Sequence, residues 1–271
     1  MIRRTQQLSN LNMEVSYLEE GQGRPLVLIH GVGMCAETWE EQIESLSAFY
    51  QVIAVDMPGH GYSSGFVYRP ELQNYVSWMG AFLQSLGLAD VILVGHSMGG
   101  LITGGVCIEY PQLIKGAVII SSVYRRDEQA KIAVRQRAIE LASGQAQIDA
   151  PLQRWFDGSK EQQQIRRKVM NWLNQVNLDG YAKAYYAFAN GDDIYAKNWH
   201  EISCPLLVIT GENDNNSSPS MAIKMAENSQ KGRAIIIPGE RHMLTLTASR
   251  LVSYEIKEFV ENICNSENYM M

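Results

Sequence analysis

The chain is poor in the features that mark several protein classes. It has four cysteines in 271 residues (Cys35, Cys107, Cys204 and Cys264), scattered and with no Cys-x-x-Cys pair. A disulfide framework or a cysteine-rich zinc site needs closer spacing, so these read as reduced thiols of a reducing compartment. Charge is also sparse: 19% of residues are charged, the net charge is −6, and there is no long run of like charge. A nucleic-acid partner needs a dense basic face to neutralise phosphates, so none is expected. No apolar run approaches the roughly 18 residues that span a bilayer, so no membrane span is expected either. Residues 1–7 turn polar where a signal peptide places its apolar stretch, which makes a cytoplasmic protein the expectation.

Apolar material is plentiful: 46% of residues are hydrophobic, enough for a sizeable core. Short apolar, largely β-branched runs recur at 26–29, 52–55, 91–94, 117–120, 206–209 and 234–237. Being apolar on both alternate faces, they fit parallel strands covered on both sides. Amphipathic stretches at 39–49, 71–86, 101–110, 219–227 and 246–263 predict helices between them. This alternation predicts an α/β fold, a doubly wound, mostly parallel sheet with right-handed crossovers. Residues 13–18 alternate like an antiparallel edge strand. From about Tyr124 to Trp199 the strand rhythm stops and the chain reads as helical. The expected organisation is therefore a core of residues 1–123 and 200–271 with a helical cap, or lid, at 124–199. The tail, 265–271, is expected to fray.

Gly95-His96-Ser97-Met98-Gly99 fits G-x-S-x-G, directly after a predicted strand and at the start of a predicted helix. A serine at such a turn is held exposed above the sheet edge, and the flanking glycines remove Cβ atoms that would clash there. Its hydroxyl needs a base, and the base an orienting acid. His242 lies in the loop past the last apolar strand, on the same sheet edge. Asp214, in Gly211-Glu212-Asn213-Asp214, follows the preceding strand and is the leading acid, with Glu212 its rival. The oxyanion donors expected are the N–H of Met98 and that of Val32, in a loop where Gly31 and Gly33 let the backbone approach a substrate. His60 and His96 read as structural hydrogen-bonding residues and His200 as solvent-facing. With no HExxH, no phosphate-binding glycine loop and no dinucleotide fingerprint, neither metal nor cofactor is expected.

Leu28-Ile29-His30-Gly31, Asp56-Met57-Pro58-Gly59-His60-Gly61-Tyr62-Ser63, Gly95-His96-Ser97-Met98-Gly99-Gly100, Gly211-Glu212-Asn213-Asp214 and Gly239-Glu240-Arg241-His242 occur in this order. On these stretches the chain resembles the α/β-hydrolase superfamily over nearly its whole length. Arg137-Ala138-Ile139-Glu140, Leu152-Gln153-Arg154-Trp155-Phe156 and Tyr181-Ala182-Lys183-Ala184-Tyr185 are similar to the 3-oxoadipate enol-lactonase-like branch. Ser97 departs from the dehalogenase and epoxide-hydrolase branches, whose nucleophile is an aspartate. Where the family often carries Glu-x-Pro after the histidine, this chain has Thr245-Leu246-Thr247, which bears on how the last helix packs.

The expected function is a cofactor-free serine hydrolase acting on a carboxylic ester, lactone or related acyl bond of a small molecule through an acyl-enzyme. The alternative is a C–C bond hydrolase or ring-cleaving dioxygenase that uses the histidine–aspartate pair as base. A receptor that binds without turnover is the non-enzymatic rival. In the cap, Tyr124, Trp155 and Phe156 are expected to form an apolar wall, with Arg125 or Arg126 receiving a substrate carboxylate.

Overall fold

The computed structural model describes residues 1–144 and 149–268. All six apolar runs become neighbouring parallel strands, because residues apolar on both faces are stable only where both faces are covered. Eight strands form one sheet: β1 (Ile2–Leu8), β2 (Met13–Glu20), β3 (Pro25–Ile29), β4 (Gln51–Val55), β5 (Val91–His96), β6 (Ile114–Ile120), β7 (Leu206–Gly211) and β8 (Gly232–Ile237). Their order is β1-β2-β4-β3-β5-β6-β7-β8. The β1/β2 and β2/β4 pairs are antiparallel and the others parallel.

Residues 13–18 are antiparallel as expected, but they are not the edge. The edge on that side is β1, whose side chains Arg4, Thr5 and Gln7 are polar because they meet solvent. Arg4 pairs with Glu19 across the ladder at 2.5 Å. Charge on an edge strand discourages pairing with another chain.

The two faces of the sheet separate with a period of two. Leu26, Leu28, Val52, Ala54, Ile92 and Val94 pack with α1 (Glu40–Leu46) and α10 (Ser249–Asn268). Val27, Ile29, Ile53, Val55 and Leu93 pack with α2 (Leu72–Ser85), α3 (Met98–Glu109) and α8 (Pro219–Asn228) on the other face. Between β6 and β7 stand α4 (Glu128–Ala142), α5 (Asp149–Trp155), α6 (Gln163–Gln175) and α7 (Leu178–Gly191). Their buried residues Leu141, Leu152, Val169, Leu173 and Tyr181 join the second of these cores.

Near the C-terminus one expected helix is two. Thr245-Leu246-Thr247 belongs to a short α9 (Leu244–Thr247), and Ala248 leaves helical geometry at φ −124 and ψ 35. Gln42 Nε2 bridges the break, donating to the carbonyls of Thr245 at 3.0 Å and Ser249 at 3.3 Å. The last helix then runs to Asn268, past the point where fraying is expected, and residues 269–271 lie outside the described residues. Among the described residues no helix is long and apolar enough to cross a membrane. The loops after β3, β5, β7 and β8 leave the strands at one edge of the sheet, the edge at which such folds bind ligands.

Candidate active site

Ser97 sits between β5 and α3 with φ 55 and ψ −114, a left-handed backbone that costs a non-glycine residue energy. Its neighbours explain why the turn can exist. A Cβ on Gly95 would lie 2.1 Å from the Gly99 carbonyl oxygen, and one on Gly99 would lie 2.2 Å from that of Ile29. Only glycine allows this approach of strand to helix.

His242, from the β8–α9 loop, has Nε2 3.2 Å from Ser97 Oγ and Nδ1 2.9 Å from Asp214 Oδ2. Asp214 Oδ1 accepts the backbone N–H groups of Asn216 at 2.8 Å and Ser217 at 3.0 Å. Burial pushes this carboxyl up, but the charge and hydrogen bond of His242 and the two backbone donors outweigh it. Asp214 is thereby held below its ordinary range. The rival Glu212 is exposed and accepts the Gly239 N–H at 2.9 Å instead. Ser97, His242 and Asp214 thus form one hydrogen-bonded line in which serine can pass a proton to imidazole and carboxylate can orient the ring.

Met98 is the first residue of α3, so its N–H has no acceptor within the helix. Val32 is in the loop after β3, which is pinned on either side of it. Met34 N–H donates to the Gly31 carbonyl at 3.2 Å, and Gly33 N–H to His60 Nε2 at 3.0 Å. A Cβ on Gly31 would lie 3.1 Å from that of Ser97, so the loop passes directly beside the serine.

The remaining histidines are structural, apart from His200, which is exposed. His30 donates from Nδ1 to the Gly31 carbonyl at 2.7 Å and accepts the Met57 N–H at Nε2 at 3.0 Å. His60 donates from Nδ1 to the Pro58 carbonyl at 3.2 Å. His96 donates from Nε2 to the carbonyl of His242 at 2.9 Å. Burial lowers their pKa values to about 4, about 3 and about 3, so all three are neutral at pH 7.

Above the serine is a cavity of about 440 Å³, lined by Gly31, Val32, Ser97, His242, Trp155 and residues from the helical segment between β6 and β7, among them Arg126, Arg137 and Arg154. Trp155 stacks on the His242 ring, with centroids 5.7 Å apart and planes at 27°. Of the expected apolar wall, Trp155 is here, whereas Tyr124 and Phe156 are elsewhere, as is Arg125, one of the two arginines expected at a substrate carboxylate. The chain leaving β6 turns through positive φ at Ser121 and again at Arg125, which swings two of them away. The Tyr124 hydroxyl donates to the Ala196 carbonyl at 3.2 Å, and Arg125 Nη2 donates to the same oxygen at 2.8 Å. Phe156 is buried in the core.

Of Arg125 and Arg126, it is Arg126 that reaches the cavity. It is buried, and Asp192 accepts both its backbone N–H at 2.6 Å and its Nη1 at 2.9 Å. Desolvation lowers the pKa of this guanidinium and Asp192 opposes the shift. Its Nη2 is buried without a hydrogen-bond partner among the described residues. Sequence reasoning missed Arg137 and Arg154. The signal for Arg137 was present: Ala130, Ala133, Val134 and Arg137 fall at i, i+3, i+4 and i+7, one face of α4, and all four line the cavity.

The sheet, the strained serine and the crossovers define an α/β hydrolase, and the chain matches the alpha/beta hydrolase family over residues 26–253. It belongs to that family and is an enzyme of the superfamily. It is 47% identical over 261 residues to the (E)-2-((N-methylformamido)methylene)succinate hydrolase of Acinetobacter baylyi, covering 96% of this chain and 99% of that one. A thermophilic esterase from Thermogutta terrifontis superposes with a TM-score of 0.87 at 21% identity, covering 97% of this chain and 99% of the esterase. The enol-lactonase of Burkholderia xenovorans gives 0.85 at 18% identity, covering 95% and 100%. At these identities the likeness to the two structures is one of fold.

Proposed function

We propose that this hydrolase cleaves the N-acyl bond of an enamine built on a small dicarboxylic acid. That is the class to which the substrate named for the Acinetobacter baylyi relative belongs. Ser97, His242 and Asp214 act as the triad, Val32 and Met98 as oxyanion donors, and residues 124–199 as the lid. The observation that carries the reading is that Arg126, Arg137 and Arg154 share one cavity with Ser97. A neutral ester or simple lactone has no use for three guanidinium groups, whereas two carboxylates do. Among the described residues Asp127 is the one carboxylate that lines the same cavity.

Ser97 Oγ attacks the acyl carbonyl while His242 Nε2 takes its proton. The oxygen gains negative charge between the N–H groups of Val32 and Met98. His242 then returns the proton to the enamine nitrogen as the C–N bond breaks, leaving an acyl-serine. An enamine nitrogen conjugated to a carboxylate-bearing carbon leaves more readily than a simple amine, which suits a serine triad. Water, deprotonated by the same histidine, releases the acid.

The test is turnover of (E)-2-((N-methylformamido)methylene)succinate beside a panel of neutral esters and lactones, together with fluorophosphonate labelling located by mass spectrometry. Labelling at Ser97 that is lost in His242→Ala, with a turnover loss of about 10⁴-fold or more in Ser97→Ala, supports the reading. Full turnover by Ser97→Ala ends the triad mechanism. Faster cleavage of neutral esters than of the dicarboxylate ends the substrate assignment.

A further inference from the structure

The loop that carries His242 also grips the cap helix lying over it. Arg241 Nη1 donates to the carbonyls of Phe156 at 2.8 Å and Gln153 at 3.2 Å, at the C-terminal end of α5. The last carbonyls of a helix have no partners of their own, and its dipole favours a cation there. Trp155, the last residue of α5, lies with its ring on the His242 imidazole at 5.7 Å and 27°. Adjacent residues of one loop therefore meet the same short helix, one by its backbone and the other by its terminal indole.

We propose that Trp155 is a positioning residue for His242, and that Arg241 acts by seating Trp155. This rests on the reading of His242 as the base. The imidazole is neutral before attack and cationic once it holds the Ser97 proton. An aromatic face attracts a cation more strongly than a neutral ring, so the stack tightens as the transition state forms. An interaction stronger there than in the ground state raises kcat more than it lowers KM. The stack also fixes the plane of the ring, keeping Nε2 on Ser97 while Nδ1 stays on Asp214.

The test uses the rate of labelling of the whole chain by a small fluorophosphonate, a step that needs no natural substrate. The Oγ–P bond forms, fluoride leaves, and the serine proton passes to His242. Trp155→Leu is expected to slow labelling about ten-fold, with Trp155→Phe within about three-fold of wild type. Arg241→Met should slow it comparably, and the double variant should be no slower than Trp155→Leu alone, because one residue works through the other. Proton NMR supplies a readout of the stack itself. The ring-current displacement of the His242 ring protons should disappear in Trp155→Leu and in Arg241→Met. Wild-type protein labelled at Ser97 with Trp155→Leu labelled equally fast overturns the proposal, as does an Arg241→Met loss that multiplies onto that of Trp155→Leu. Wild-type protein that is not labelled at all overturns the triad reading, and this proposal with it.

Discussion

The backbone N–H of Gly33 donates to Nε2 of His60 across 3.0 Å, in the protein interior. This bond ties the loop after β3, which bears Val32, to the turn after β4. It requires a neutral imidazole, and burial supplies one by lowering the His60 pKa to about 3. His60→Ala leaves the Gly33 N–H and the Pro58 carbonyl buried and unpaired. The expected cost is about 1–3 kcal/mol of stability. Because the loop then shifts relative to Ser97, kcat should fall about ten-fold or more. Urea unfolding and steady-state kinetics on the same preparation check both, and an unchanged kcat would show that the bond does not position Val32.

Three buried neutral histidines make the fold sensitive to acid. The pKa values of His30, His60 and His96 are lowered in the fold to about 4, about 3 and about 3, mainly by burial. Unfolded, each titrates near 6.5, so between pH 6.5 and about 4 the unfolded chain binds more protons than the native one. Stability therefore rises with pH through that window and is lost as pH falls. Each histidine contributes roughly 2 kcal/mol of that loss between pH 6.5 and 4.5. Asp214 adds to it at lower pH, because its native pKa is depressed and its contribution disappears as it protonates. Stability from urea unfolding at pH 7.5, 6 and 5 should fall gently over the first interval and with a slope approaching three protons over the second. A flat profile down to pH 5 would contradict neutral burial.

Gly99→Ala tests the elbow without touching the reacting atoms. Its Cβ would meet the Ile29 carbonyl oxygen at 2.2 Å, and backbone cannot give way as a flexible side chain would. The expected result is a loss above about 3 kcal/mol or failure to fold. Melting temperature and soluble yield report it, and a variant as stable as wild type would mean that α3 packs further from β3 than the structure has it.

Much of this architecture was legible because burial writes itself into composition. Strands covered on both faces must be apolar at every position, so β3 to β7 could be read as continuous runs. Ser97, Asp214 and His242 could be located by asking which polar residues follow those strands on one edge. The edge strand β1 was not legible, because solvent on its exposed side chains selects Arg, Thr and Gln, the same composition as a loop. The wall of the cavity was legible only in part: Trp155 lines it as expected, whereas Tyr124 and Phe156 do not. Whether Arg125 or Arg126 enters the cavity depends on a positive φ at Arg125, a conformation that its residue type does not announce. Arg154 reaches the site through the docking of α5, which the periodicity of a seven-residue helix does not fix.

The arginines give the last prediction, because charge separates the proposed substrate from its rivals. Arg154 lines the cavity and is itself exposed, so its removal should leave the fold intact. Arg154→Met is expected to raise KM for the dicarboxylate about ten-fold or more while leaving a neutral ester within about three-fold, since a charge-assisted bond of roughly 1.5–3 kcal/mol is lost only where a carboxylate is present. The dicarboxylate rate should also lose part of its dependence on ionic strength, because salt screens the attraction that the guanidinium provides. Arg126 differs in kind. Its partner Asp192 is buried, and Arg126→Met would strand that carboxylate at a cost of about 3–5 kcal/mol. Arg126→Met/Asp192→Leu removes both charges, so it should fold better than Arg126→Met alone yet bind the dicarboxylate no better. If the double variant recovers KM as well as stability, Arg126 serves only to anchor the cap, and the carboxylates must be held by Arg137 and Arg154.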